Sequence, residues 1–248
     1  MIDLIDIKKS FNGRRVLCGV DLKIKQGEIT VIIGRSGEGK SVLIKHIIGL
    51  LKPDSGRILL EGKDLVTMKT REFSEVLKRF GMLFQGGALF DSMTVAGNVG
   101  FALAEHTGLS QKAIREVTLR KLNMVGLRGV EDMMPSELSG GMKKRVGLAR
   151  AIAMDPEIVI FDEPTTGLDP VTSDAIANLI LETQRQLKTT YIVITHDIKL
   201  TYKIADMIAM LHKGIIIEHG SVDYMQKSED PILSQFLEGR AEGPLTIY

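Results

Sequence analysis

Cysteine is nearly absent from this chain. Cys18 is the single one among 248 residues, so no internal disulfide can form, which suits a reducing compartment. An excess of one charge is missing too. Lys and Arg number 32 against 31 Asp and Glu, a formal net charge of +1, so no global basic field points to nucleic acid and no such partner is expected. No apolar run approaches the roughly 18 residues a membrane span needs. The richest, residues 42–51, contains Lys45 and His46. The opening Met1-Ile2-Asp3-Leu4 shows neither a basic start nor an apolar signal core. These absences predict a cytosolic chain that meets a membrane only through a partner.

At this length a core can be buried without cross-links, as one large α/β domain or as a core with a helical insertion. The chain does have a series of short apolar runs. Ile29-Thr30-Val31-Ile32-Ile33 ends at a glycine and has the pattern of a strand buried on both faces of a parallel sheet. Similar runs at 157–161, 191–194 and 207–211 each follow a helical pattern, the alternation of a doubly wound sheet. The first forty residues read as strands and turns, with turns at Asn12-Gly13 and Gln26-Gly27. Between 110 and 154 helical spacing takes over, with Ile114, Val117, Leu122 and Val125 on one apolar face. Residues 214–220 read as a last hairpin strand, Asp230-Pro231 opens a short helix, and an irregular tail runs from Gly239.

Gly34-Arg35-Ser36-Gly37-Glu38-Gly39-Lys40-Ser41 matches G-x-x-x-x-G-K-[ST] in full, between a predicted strand and a predicted helix that continues through Val42. Glycines let backbone N–H groups turn inward around phosphate oxygens, and the helix start adds its positive end. Lys40 is expected to reach the β- and γ-phosphates of ATP and Ser41 to ligate Mg²⁺. The plain alternative is a glycine-rich structural turn. Downstream, Ile158-Val159-Ile160-Phe161 ends in Asp162-Glu163, at the strand end where open α/β sheets bind ligands. Asp162 is expected to serve Mg²⁺, and Glu163 to orient and deprotonate the attacking water; two solvated turn carboxylates are the alternative. His196 closes the next apolar strand, where contact with a γ-phosphate is available, although a lone histidine is usually structural. Gln85 closes Met82-Leu83-Phe84 and could sense Mg²⁺ or the attacking water, a weak signal by itself. Phe11, ahead of the first turn, is either an ordinary core aromatic or a stacking platform for adenine.

A second glycine cradle lies at Leu138-Ser139-Gly140-Gly141-Met142. Serine is a favoured N-cap, so Ser139, Gly140 and Gly141 place backbone donors at a helix start. The chain has only one P-loop to hold a nucleotide. A twofold dimer resolves the mismatch: the second cradle of one subunit closes on the γ-phosphate held by the other. A glycine-containing N-cap without a ligand is the alternative.

The order P-loop, Gln85, Leu138-Ser139-Gly140-Gly141, Asp162-Glu163, Gly167-Leu168-Asp169 and His196 resembles the nucleotide-binding subunit of an ABC transporter, over residues 1–221. That resemblance assigns them as Walker A, Q-loop, signature, Walker B with catalytic glutamate, D-loop and H-switch. It adds Asp169 to the nucleotide contacts and Gln85 to the Mg²⁺ ligands, and it implies ATP hydrolysis by a homodimer coupled to a membrane permease. Phe11 falls at the A-loop, where tyrosine is commoner, and Met142 stands in place of the usual glutamine. The implied fold is an α/β P-loop ABC ATPase: a mostly parallel core sheet with an N-terminal antiparallel β portion and an inserted helical subdomain. The single domain spans 1–222, with the nucleotide-binding core at 1–94 and 155–222 and the helical signature subdomain at about 95–154. A C-terminal extension covers 223–248.

Shorter motifs narrow the resemblance. Leu-Ser-Gly-Gly-Met followed by Lys143, Lys144 and Arg145, then Gly87-Ala88-Leu89-Phe90, and Phe236-Leu237-Glu238-Gly239 with Gly243-Pro244, are similar to the ATPases of MCE-type phospholipid transport systems. Such systems imply a permease, an MCE lipid-binding protein, a STAS-domain regulator and a tail that can reach the neighbouring subunit. They also imply peripheral attachment at the cytoplasmic face of the inner (plasma) membrane. The alternatives are an ABC importer ATPase for another small solute and a soluble ABC ATPase of the assembly or repair type. The segment 86–101 is expected either to form a groove for a permease helix or to be a core edge. The run Lys143-Lys144-Arg145 is expected to be a solvated helix face.

Overall fold

Alternating apolar and polar side chains from the second residue onward build an antiparallel ribbon in the computed structural model, which describes residues 1–245. β1 (Ile2–Phe11) pairs with β2 (Arg14–Ile24) around Asn12-Gly13, whose φ angles of 49° and 77° are those of a tight hairpin turn. Ile2, Leu4 and Ile7 face the core with Leu17, Val20, Leu22 and Ile24. β4 (Ser55–Leu60) takes the other edge of β1 and β5 (Lys63–Asp64) follows it, giving the order β2-β1-β4-β5. This is the antiparallel portion expected from the sequence.

The ribbon belongs to the first of two units into which the chain divides, residues 1–73 with 193 onward. In the same unit every residue of β3 (Ile29–Ile33) is buried, and β3 runs parallel to β9 (Met207–His212) from Thr30↔Met207 to Ile33↔Met210. Burying each such Val or Ile on both faces of a sheet stabilises by about 1.5–3 kcal/mol, which is why these short runs need no alternation. β10 (Ile215–Ser221) returns antiparallel to β9. The helices of this unit are α1 (Lys40–Ile47), α7 (Ile198–Ile204), α8 (Val222–Gln226) and α9 (Pro231–Glu238). Asp230 caps α9, with Pro231 in its first turn. The chain then folds back. Buried Gln235 donates from Nε2 to the Leu245 carbonyl at 3.2 Å and accepts the Leu245 N–H at 2.7 Å, so residues 239–245 lie against α9 of their own chain, without helix or strand. The last three residues of the expected tail lie outside the described residues.

The second unit, residues 74–192, holds β6 (Phe80–Leu83) parallel to β7 (Ile158–Asp162), in register from Phe80↔Ile158 to Leu83↔Phe161. Between them run α3 (Val95–His106), α4 (Gln111–Met124) and α5 (Gly140–Ala151), in agreement with the helical insertion predicted there. α6 (Pro170–Leu187) follows β7. Thr94, Ser110, Ser139 and Asp169 cap α3, α4, α5 and α6 through their side-chain oxygens. On α4, Ile114, Leu122 and Val125 are buried as predicted, but Val117 is only half-buried and Thr118 takes the inward place. Thr118 stands four residues from both Ile114 and Leu122, so helix phase puts it on their face, where a Cβ on Gly100 of α3 would lie 3.2 Å from its hydroxyl. α2 (Thr70–Leu77) begins in the first unit and ends in the second; β8 (Thr190–Thr195) does the reverse. Among the described residues no helix is long and apolar enough to cross a membrane.

Candidate functional site

In the first unit the glycine loop follows β3 and opens α1. A Cβ on Gly34 would sit 2.4 Å from the Leu211 carbonyl oxygen, and one on Gly39 would sit 3.0 Å from Leu17, so close backing by other segments requires glycine at both ends. Gly37, at φ 84°, faces open space. Buried Lys40 reaches back over the loop, donating to the Gly34 carbonyl at 2.6 Å and the Arg35 carbonyl at 3.0 Å. α1 has no acidic residue in its first turn and no side-chain cap from Gly39. A helix start without a capping acceptor, a cation beside it and a glycine hollow fit an anion. Ser36 and Ser41 are exposed, and Arg35 and Val42 half-buried.

Glu38 behaves differently from its neighbours in the loop. Its Oε2 accepts the Lys213 N–H, and its Oε1 lies 3.3 Å from His212 Nδ1, a charge-pair distance without hydrogen-bond alignment. The same unit carries Phe11 at the end of β1, 40% exposed as a residue, with Lys9 Nζ 5.6 Å from its ring centroid, and exposed His196 just after β8.

Gln85, Ser139–Gly141, Asp162, Glu163 and Asp169 all lie in the second unit. Gln85 is exposed beyond β6, and two residues that sequence reasoning missed hold the loop after it. Arg150 donates to the Gly87 and Ala88 carbonyls at 2.7 and 2.8 Å. Buried Asn98 accepts the Phe90 N–H and donates to the Phe90, Met93 and Thr94 carbonyls. An asparagine inside the apolar run of α3 was the available signal, because a buried amide needs partners. The core-edge expectation for segment 86–101 is met in part: Val95, Asn98, Val99 and Gly100 are core, whereas Phe90 and Phe101 are exposed, with ring centroids 5.0 Å apart.

Buried Leu138 anchors the second cradle, leaving Ser139 and Gly140 exposed at the start of α5. Ser139 Oγ accepts the Met142 N–H at 3.3 Å, so the serine caps its helix. Gly140 and Gly141 pack on the segment after β7: Cβ atoms there would lie 3.6 Å from Leu168 and 2.8 Å from Thr172. Glu163 has φ 50°, left-handed and unusual for a residue with a Cβ. Its carbonyl accepts from the Thr166 N–H at 3.3 Å and from Lys144 Nζ at 3.1 Å, and Thr166 Oγ1 donates to its Oε2 at 3.2 Å. Burial lowers the Lys144 pKa, against the opposing pull of the Asp162 and Glu163 carboxylates.

The basic run at 143–145 is therefore not a solvated face. Lys144 points inward, and half-buried Arg145 donates to the Val125 carbonyl at 3.2 Å. Successive helical residues are about 100° apart, so three in a row cannot share one face. Asp169 Oδ1 accepts from the Val171 and Thr172 N–H groups, and Oδ2 from Thr172 Oγ1; these bonds, the hydroxyl one first, hold its carboxyl below the ordinary range.

Among the described residues no group of three or more His, Cys, Asp or Glu could hold a metal unaided.

The family model described as ABC transporter matches residues 17–166. The chain is 44% identical over 246 residues to the intermembrane phospholipid transport system ATP-binding protein MlaF of Haemophilus influenzae, covering 98% of this chain and 93% of that protein. It is 41% identical to the probable ribonucleotide transport ATP-binding protein mkl of Mycobacterium leprae, covering 98% and 70%. Among solved structures, the dimeric MJ0796, a bacterial ABC transporter cassette, superposes with a TM-score of 0.82 at 30% identity, over 90% of this chain and 99% of that one. A post-hydrolysis dimer of the same cassette with ADP and Pi gives 0.81 at 29% identity, over the same shares. By its loops, its fold and these likenesses, the chain belongs to the ABC transporter family as one of its ATP-hydrolysing subunits, an ATPase that uses ATP with Mg²⁺.

Proposed function

We propose that this chain is the ATPase of an MCE-type phospholipid transport system, a homodimer whose ATP-driven closure works a membrane permease. Near-full-length similarity to a protein named for intermembrane phospholipid transport supports the cargo class. The observation that carries the dimer is the exposed Ser139-Gly140 start of α5, a second anion cradle in a chain with one P-loop; the dimeric cassette it resembles supports the same reading. The core comprises 1–94 and 155–222, the signature subdomain about 95–154, and the C-terminal extension 223–248. The protein sits peripherally at the cytoplasmic face of the inner membrane, with an MCE lipid-binding protein and a STAS-domain regulator as further partners.

In this reading residues 34–42 hold the triphosphate, with Lys40 on the β- and γ-phosphates and Phe11 under the adenine. Ser41, Gln85 and Asp162 serve Mg²⁺, whose chemistry is to neutralise charge on the phosphates. Glu163 takes a proton from the attacking water as the γ-phosphoryl group passes to it, leaving ADP and inorganic phosphate. His196 and Gln85 address the γ-phosphate and the water. Ser139, Gly140, Gly141 and Asp169 contact the nucleotide anchored by the other subunit. Those contacts exist only in the closed dimer, so ATP favours closure, and hydrolysis with phosphate release reopens it.

Glu163→Gln keeps both cradles and loses the base. Turnover should fall by about 10²- to 10⁴-fold, while ATP traps a dimer visible by sedimentation. Wild-type turnover in that variant ends the assignment. The cargo is tested by reconstituting the chain with the permease copurified from detergent-solubilised membranes. ATP-dependent phospholipid movement between vesicles is expected; movement of ribonucleotides instead, as the mycobacterial relative is named for, shifts the cargo and leaves the ATPase intact.

A further inference from the structure

We propose that Lys144 is a strut between the two nucleotide sites of the dimer: it ties the backbone of Glu163 to α5, the helix whose start receives the partner's nucleotide. The inference rests on the sharing of ATP proposed above. Lys144 is 3% exposed, and its Nζ donates to the Glu163 carbonyl at 3.1 Å. Glu163 is held at φ 50°, a conformation that is strained for a residue with a Cβ and persists only where the surroundings impose it. Two donors impose it here, Lys144 Nζ and the Thr166 N–H.

The same helix grips the segment after β7 a second time. At its first turn Gly141 faces Thr172, with too little room for even a Cβ, and Gly140 faces Leu168. A shift of the cradle as it engages a phosphate must therefore be carried to residues 163–172 at two places, because the helix between Ser139 and Lys144 is hydrogen-bonded throughout. Burying a cation costs desolvation that its pairing repays only in part, so a buried lysine is weak evidence for stability. Its use is geometric: Lys144 positions the water-activating carboxylate according to whether α5 has found its nucleotide. By twofold symmetry each site reports to the other, so turnover should be cooperative in ATP.

Lys144→Met keeps the length and removes the donor. Its melting temperature should fall by a few degrees at most, since the Glu163 carbonyl loses one of its donors but keeps the Thr166 N–H. The ATP KM should stay put, kcat should fall about 10- to 100-fold as the carboxylate loses its placement, and the Hill coefficient of turnover should drop toward one. Lys144→Arg, which keeps a cationic donor, should recover most of kcat. In a Glu163→Gln background Lys144→Met should remove nothing further, because the group it positions is gone. A folded Lys144→Met with normal kcat, or an equally large loss in the Glu163→Gln background, overturns the strut. If Lys144→Met does not fold, Lys144→Arg decides: recovered turnover supports the strut, and a folded but inactive variant overturns it. ATP-induced dimerisation of Glu163→Gln reads the shared site alone. Its presence beside a normal Lys144→Met sinks only the strut, and its absence sinks both.

Discussion

Glu38 shows how a motif position left open by its pattern acquires a task from its neighbours. The P-loop pattern leaves this position unrestricted, yet the carboxylate bridges to the Lys213 N–H and faces His212, bracing the loop from behind. Charged hydrogen bonds of this kind are worth about 1.5–3 kcal/mol. Glu38→Ala should therefore raise the ATP KM roughly tenfold or more, while Glu38→Gln, which keeps an acceptor for Lys213, should stay near wild type in a titration of nucleotide binding. His46 supplies a second prediction. Its Nδ1 lies 2.8 Å from the Leu51 carbonyl, its Nε2 is buried without a hydrogen-bond partner, and burial lowers its pKa below the ordinary 6.5. The unfolded chain takes up this proton near pH 6.5 and the folded chain does not. The stability of the neutral ring is thus fully present above that pH and is lost as pH falls toward the lower folded value. His219, lowered chiefly by burial, adds in the same direction. Melting temperatures should fall from about pH 7.5 to about pH 5.5, and His46→Asn should flatten that slope.

Elements were legible where their ends are marked. Ser139 and the Asp230-Pro231 pair announced their helices in the sequence, and the structure starts α5 and α9 there. The apolar run at 29–33 announced β3 because burial on both faces leaves no polar position. What patterns could not supply was how closely elements approach. Gly81 of β6 lies so near α5 that a Cβ would fall 2.0 Å from the Ala151 carbonyl oxygen, and one on Gly147 would fall 2.6 Å from Leu83. Sequence reasoning treated neither glycine as special, since each lies within an ordinary strand or helix pattern. Gly81→Ala should force β6 and α5 apart at a cost of about 1–3 kcal/mol, lowering the melting temperature by several degrees. An unchanged melt would mean that the helix slides without penalty. The same reasoning explains the basic run at 143–145: composition suggested a wet face, and helix phase turned Lys144 inward.

For the whole molecule the decisive expectation is that no chain completes its own site. An equal mixture of Lys40→Ala and Ser139→Arg chains should regain turnover that neither has alone. Half the dimers then pair the two kinds, and each pair has one intact site of two, so recovery up to about a quarter of wild-type activity is expected, less to the extent that the two sites are coupled. No recovery, with both chains folded and exchanging, would mean that each cradle serves its own chain. The tail bears on the same question. Residues 239–245 are clasped by Gln235 of their own chain, so any contact they make with a neighbour is made from that folded-back position.

The sequence by itself determined the chemistry: the phosphate loop, the paired carboxylates after an apolar strand and the second glycine cradle are each written in a few consecutive residues, because the backbone geometry they need is local. Tertiary structure decided what supports them. Lys144 meets the Glu163 carbonyl across 19 positions, and Glu38 meets the Lys213 N–H across 175. Such meetings depend on helix phase and on which strands lie side by side, and neither is written in any short stretch of chain.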